Sequence, residues 1–140
     1  PEAADIVMRS GVPITMLPLD VTHQMLATNE RIKAIKNLGN ASGTAIYQML
    51  SFSERFDLEK YQWLGAPLHD PCGIAYLLEP EIFTGRKINV EIEVTSELTR
   101  GMSVADYWGV TGRAPNVNFI RTGDANRFYQ LLVERLARLP

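Results

Sequence analysis

Residues 12 to 23 read VPITMLPLDVTH. Val12, Ile14, Met16, Leu17, Leu19 and Val21 form a near-continuous apolar run, the pattern of a strand covered on both faces. Pro18 argues against a central place for the whole run, because proline has no N–H to offer a neighbouring strand. The run closes on polar Asp20, Thr22 and His23, so the sequence predicts a strand with polar groups at its carboxyl end. Ahead of it, Glu2 to Ser10 reads as a short helix followed by Gly11. Behind it, Thr28 or Asn29 can cap a helix through about Leu38, with Ile32, Ile35 and Leu38 on one side and Gly39 after it. A helix–strand–helix order points to an α/β layered domain with a partly parallel sheet.

The rest of the chain mixes both periods. Ser42 can cap a further helix, in which Ala45, Ile46, Met49 and Leu50 have the spacing of a buried face. The segment SERFDLEKYQWLG (53–65) reads as the end of that helix and a loop. Ile74, Ala75, Leu77 and Leu78 predict a short buried helix stopped near Pro80. In KINVEIEVT (87–95), Ile88, Val90, Ile92 and Val94 alternate strictly with Asn89, Glu91, Glu93 and Thr95, which predicts a strand with one wet face. An irregular strand follows within 99–112, and another lies near Pro115 to Arg121, centred on Val117, Phe119 and Ile120. Asp124 can cap a final amphipathic helix carrying Phe128, Leu131, Leu132, Leu136 and Leu139.

Composition narrows the class of protein. The 140 residues suit one compact domain, and 46% hydrophobic with 21% charged residues argues against disorder. A net charge of -2 with interspersed signs gives no basic stripe for nucleic acid. No apolar run approaches the length that crosses a membrane. Cys72 is the sole cysteine, so no internal disulfide can form and a reducing, cytoplasmic setting is expected. The chain opens PEAADIVMRSG without an initiator Met, as if entered within a helix.

The densest chemistry lies in GAPLHDP (65–71). Read locally, Asp70-Pro71 favours a helix N-cap followed by a first-turn proline, with a rigidly aimed metal ligand as the other reading. His69 is either a loop histidine bonded to a nearby carbonyl or a general acid or base, since its ordinary pKa of about 6.5 suits both roles. Adjacent side chains usually point apart, so His69 and Asp70 suit two neighbouring tasks better than one shared pair. Asp20 and Thr22 can serve as ligands or cap the following turn. His23 reads as a surface loop residue and Cys72 as a small buried one. Tyr61 and Trp63 can stack on a flat ligand, although core packing is the stronger reading for Trp63. Zinc spacing, a phosphate-binding glycine loop and a serine triad pattern are all missing from the sequence.

Four segments in order, PEAADIVMRSG, VPITMLPLDVTHQ, GAPLHDPCGIAYLL and GMSVADYWG, resemble the C-terminal part of inosine-uridine preferring nucleoside hydrolases. The bacterial pyrimidine-preferring members are the closest in character. The resemblance implies a Rossmann-like mixed sheet flanked by helices, with residues 1–140 as the C-terminal portion of a single domain whose N-terminal half is absent. It implies hydrolysis of the N-glycosidic bond of a ribonucleoside to ribose and free base, in nucleoside salvage. It also implies Ca²⁺ as cofactor, with Asp70 as the matching metal ligand and His69 as the group that protonates the departing base. Tyr61 and the 53–63 segment become candidates for contact with the substrate.

The family's aspartate-rich motif, which carries most calcium ligands, has no counterpart in this sequence, and one carboxylate does not make a tight calcium site. The isolated chain is therefore expected to be inactive. Its expected partners are a ribonucleoside, the missing N-terminal portion of the fold and further copies in a homo-oligomer, with no nucleic acid and no membrane. The alternative is a non-catalytic binding or interaction module descended from the same fold, in which Asp70 is only a helix cap.

Overall fold

The computed structural model describes the backbone of residues 1–61 and 64–140 and the side chains of 1–52 and 64–140. In chain order the elements are α1 (Glu2–Arg9), β1 (Ile14–Met16), α2 (Leu19–Thr22), β2 (Leu26–Thr28), α3 (Asn29–Lys36), α4 (Ala41–Tyr61), β3 (Gly65–Pro67) and α5 (Pro71–Leu78). After a 3-10 turn at Pro80–Ile82 come β4 (Phe83–Ile92), β5 (Ser103–Asp106), β6 (Val117–Gly123) and α6 (Ala125–Leu136). The mixture of helices and a mixed sheet is the α/β class expected. Among the described residues no helix is long and apolar enough to cross a membrane.

The chain divides into two compact units. The first comprises 1–18 and 85–120. Its strands belong to a four-stranded sheet in the order β1-β6-β4-β5. β1 runs parallel to β6, with Ile14 opposite Val117 and Met16 opposite Phe119, whereas β5 is antiparallel to β4, with Val90 opposite Ala105. The alternation read in 87–95 is realised as far as Ile92, where β4 ends: Ile88, Val90 and Ile92 are buried and Asn89 and Glu91 half-exposed, while Val94 lies beyond the strand and is not buried. Ile88, Val90, Val117 and Phe119 form the core of this unit, with Met8 of α1 packed against them. The Asn116 side chain ties β4 to α1, accepting from Val90 N–H at 2.8 Å and donating to the carbonyls of Val90 and Met8.

The second unit comprises 19–84 and 121–140. Its two-stranded sheet pairs β2 and β3 antiparallel, and its core includes Met25, Ile35, Cys72 and Phe128. α6 starts as expected, with the Asp124 carboxylate accepting from the N–H groups of Asn126 and Arg127. Arg127 then reaches the carboxylate of Glu79 just past α5, with Nε to Oε2 at 2.8 Å.

Four expectations are corrected. The apolar run at 12–21 is not one strand: β1 stops at Met16, and Leu19–Thr22 turns into helix beyond Pro18, which cannot extend a ladder. Asn40, not Ser42, caps α4, its Oδ1 accepting from Gly43 N–H at 2.8 Å. The helix ends at Tyr61, within the 53–65 segment read as its end. The stripe on α4 is not buried, since Met49 is exposed, and on α5 only Cys72 and Ala75 are buried, while Ile74 is 62% and Leu77 77% exposed. Amphipathic spacing marks a face suited to packing, and does not by itself supply a neighbour.

Candidate active site

The site is assembled by the turn after α2 and by the short β2–β3 pair. His23 N–H donates to Leu19 O and Met25 N–H to Thr22 O, both at 3.0 Å, and these bonds reverse the chain into β2. β2 pairs with β3 so that Ala27 faces Ala66 and Thr28 faces Gly65. A side chain at Gly65 would collide with the Ala27 carbonyl, so the glycine that opens GAPLHDP permits the close pairing. Beyond β3, Leu68 N–H donates to Met25 O at 3.0 Å and fastens the two segments together just before His69.

This places the Thr22 hydroxyl 2.8 Å from His69 Nδ1, although the two residues are 47 positions apart. Thr22 is buried and His69 is exposed. The His23 ring meets the His69 ring edge-on, with centroids 5.6 Å apart at 64°. Gln24 locks the same turn, donating to the carbonyls of Asp20 and Arg121 and accepting from Gly123 N–H. The segment Thr22-His23-Gln24 is therefore fixed at each residue, which the sequence alone did not reveal. The expectation of a carbonyl partner for His69 is corrected to a threonine hydroxyl, and His23 is half-buried against His69 rather than a free surface loop.

Asp70 lies at the start of α5 with its side chain exposed. The expected cap is not made: Asp70 has φ -62° and ψ -40°, and its side chain accepts no cap hydrogen bond. An N-cap residue needs extended backbone to fold its oxygen over the first turn, and Asp70 is already helical. Its carboxylate is left for other work. Cys72 is fully buried with Sγ 3.0 Å from the Leu68 carbonyl, and burial pushes its thiol up to about 11, which leaves it protonated and unreactive near neutrality. Asp20 is exposed on α2. The side chains of Tyr61 and Trp63 lie outside the described residues. Among the described residues no group of three or more His, Cys, Asp or Glu stands together to hold a metal ion.

The chain belongs to the inosine-uridine preferring nucleoside hydrolase family, whose profile matches residues 1–130. It is 47% identical over its whole length to an uncharacterized protein of Schizosaccharomyces pombe, of which it covers 45%. It is 43% identical over 139 residues to the pyrimidine-specific ribonucleoside hydrolase RihA of Enterobacter sp., covering 44% of that protein. Among solved structures, the purine-preferring ribonucleoside hydrolase from Gardnerella vaginalis superposes over the whole chain with a TM-score of 0.83 at 30% identity, and 45% of that chain is covered. A plant nucleoside hydrolase, PpNRh1, gives a TM-score of 0.84 at 25% identity with the same 45% share. The chain thus spans a little under half the length of the relatives it matches.

Proposed function

We propose that these 140 residues form the C-terminal share of a ribonucleoside hydrolase active site, in which His69 protonates the departing base and Asp70 is one ligand of a calcium ion. The observation that carries this reading is the pairing of a held imidazole with a neighbouring carboxylate that the helix does not use as a cap. Family membership and the ribonucleoside hydrolases among the relatives support the reaction class.

An exposed, uncommitted carboxylate at a rigid helix start suits calcium, which takes oxygen ligands. Asp70 fits as one of them, and the remaining oxygens must come from elsewhere in the enzyme. When bound there, the ion supplies a grip on the sugar hydroxyls and a more acidic water. His69 acts on the other side of the bond. As the N-glycosidic bond breaks, its electron pair leaves with the base. His69 Nε2 gives its proton to a base nitrogen, so a neutral base departs rather than an anion. The oxocarbenium-like sugar is captured by water and released as ribose.

The test uses the complete enzyme. His69→Ala is expected to slow uridine or inosine hydrolysis by about 10²–10⁴-fold, the range of a general acid, and to spare ribosides with an activated aryl leaving group. Equal loss on both substrates would remove His69 from the acid role. Asp70→Ala is expected to abolish calcium-dependent turnover, and unchanged calcium affinity would remove it as a ligand. The 140-residue chain alone is expected to show no hydrolysis, and calcium-dependent release of base from it would refute the division of the site.

A further inference from the structure

We infer that Thr22 is a positioning residue for His69, holding the ring by Nδ1 so that Nε2 is the nitrogen that gives up its proton. The inference rests on the proposed role of His69 and adds the group that sets its geometry. An exposed imidazole on a loop is free to sample several ring orientations, each costing part of the alignment that proton transfer needs. Here one nitrogen is taken. Thr22 is 3% exposed, and its Oγ1 lies 2.8 Å from Nδ1, so the ring is tethered on its buried side. Among the described residues, Nε2 makes no hydrogen bond of its own.

The chemistry of a hydroxyl suits the task. As an imidazolium, His69 donates from both nitrogens, and Thr22 Oγ1 accepts from Nδ1–H. When the Nε2–H bond breaks and the proton joins the departing base, Nδ1–H remains and still donates to the same oxygen. One hydrogen bond therefore stands before and after transfer, and the ring need not turn. Both ends of the bond are themselves held. Thr22 O accepts from Met25 N–H, and Met25 O accepts from Leu68 N–H, so a backbone link lies directly beside the side-chain one. The edge of His23 at 5.6 Å flanks the ring.

Thr22→Val keeps the shape of the side chain and deletes the hydroxyl, whereas Thr22→Ser keeps the hydroxyl. In the complete enzyme, ¹⁵N NMR of the histidine rings is expected to show the His69 Nδ1 resonance moved by Thr22→Val and returned towards wild type by Thr22→Ser. In the complete enzyme, Thr22→Val is expected to lower kcat on uridine by about 10²-fold with KM nearly unchanged, to spare activated aryl ribosides and to be rescued by Thr22→Ser. A Thr22→Val protein with wild-type Nδ1 resonance and wild-type kcat overturns the inference. A defect in His69→Ala confined to poor leaving groups, without one in Thr22→Val, overturns it while the function stands. If His69→Ala shows no leaving-group dependence, the function fails, and the resonance alone decides whether Thr22 sets the ring. Should Thr22→Val not fold, Thr22→Ala is read in the same way.

Discussion

The Tyr129 hydroxyl on α6 donates to the Met25 carbonyl at 3.0 Å, and that oxygen also accepts from Leu68 N–H. One oxygen thus joins the final helix to both segments of the site. Burial raises the Tyr129 phenol well above its ordinary value, so it remains a donor throughout the neutral range. Tyr129→Phe removes this bond but leaves Met25 O with its Leu68 partner. The loss is therefore expected near the ordinary worth of one hydrogen bond, about 1 kcal/mol, rather than that of an orphaned buried group. Urea unfolding with unchanged slope and a lower midpoint is the measurement.

Gly43, in the first turn of α4, lies close against the end of α3. A β-carbon there would lie 2.7 Å from the Ile35 carbonyl oxygen and 2.8 Å from Asn40 Oδ1, the atom that caps α4. Alanine usually stabilises a helix relative to glycine by up to about 1 kcal/mol. Overpacking against rigid backbone costs about 1–3 kcal/mol. The second effect wins, so Gly43→Ala is expected to lower the thermal midpoint. A higher midpoint would show that the two helices can part at no cost.

Glu93 carries a pH signature separate from the site. Its carboxylate accepts from the N–H of Ser96 and from the N–H and hydroxyl of Thr95, which hold its pKa down to about 2 from an ordinary 4.5. A depressed acid contributes stability above its unfolded value and loses it as pH falls towards the folded one. The protection of the Thr95 and Ser96 amides, taken relative to their intrinsic exchange rates, is therefore expected to fall between about pH 4.5 and about pH 2. Glu93→Gln should remove that dependence, and an unchanged acid response in this variant would assign it to another group.

Much of the fold is legible in the sequence because its signals are local. Strict alternation located Ile88, Val90 and Ile92 of β4, and Asp124 marked the start of α6 through a cap that is made. The three-residue strands β2 and β3 are too short to carry a period, and no local pattern announces their pairing. The site depends on that pairing. His69 and Asp70 stand out in the sequence by residue type, but Thr22 as the partner of His69 follows only from a contact across the chain. The cap at Asp70 failed for the opposite reason: residue type and Pro71 both favour it, and backbone angles alone decide against it.

The unmade cap has a genetic meaning. Replacing an aspartate that caps a helix commonly costs about 0.5–2 kcal/mol, so a dead variant at such a position confounds a broken site with a weakened fold. At position 70 the helix loses no cap hydrogen bond when the carboxylate goes, only the smaller favourable interaction of a negative charge with the helix dipole. Substitutions there confound chemistry with folding less than they would at a made cap, which makes Asp70 a position at which inheritance of activity and inheritance of structure can be told apart.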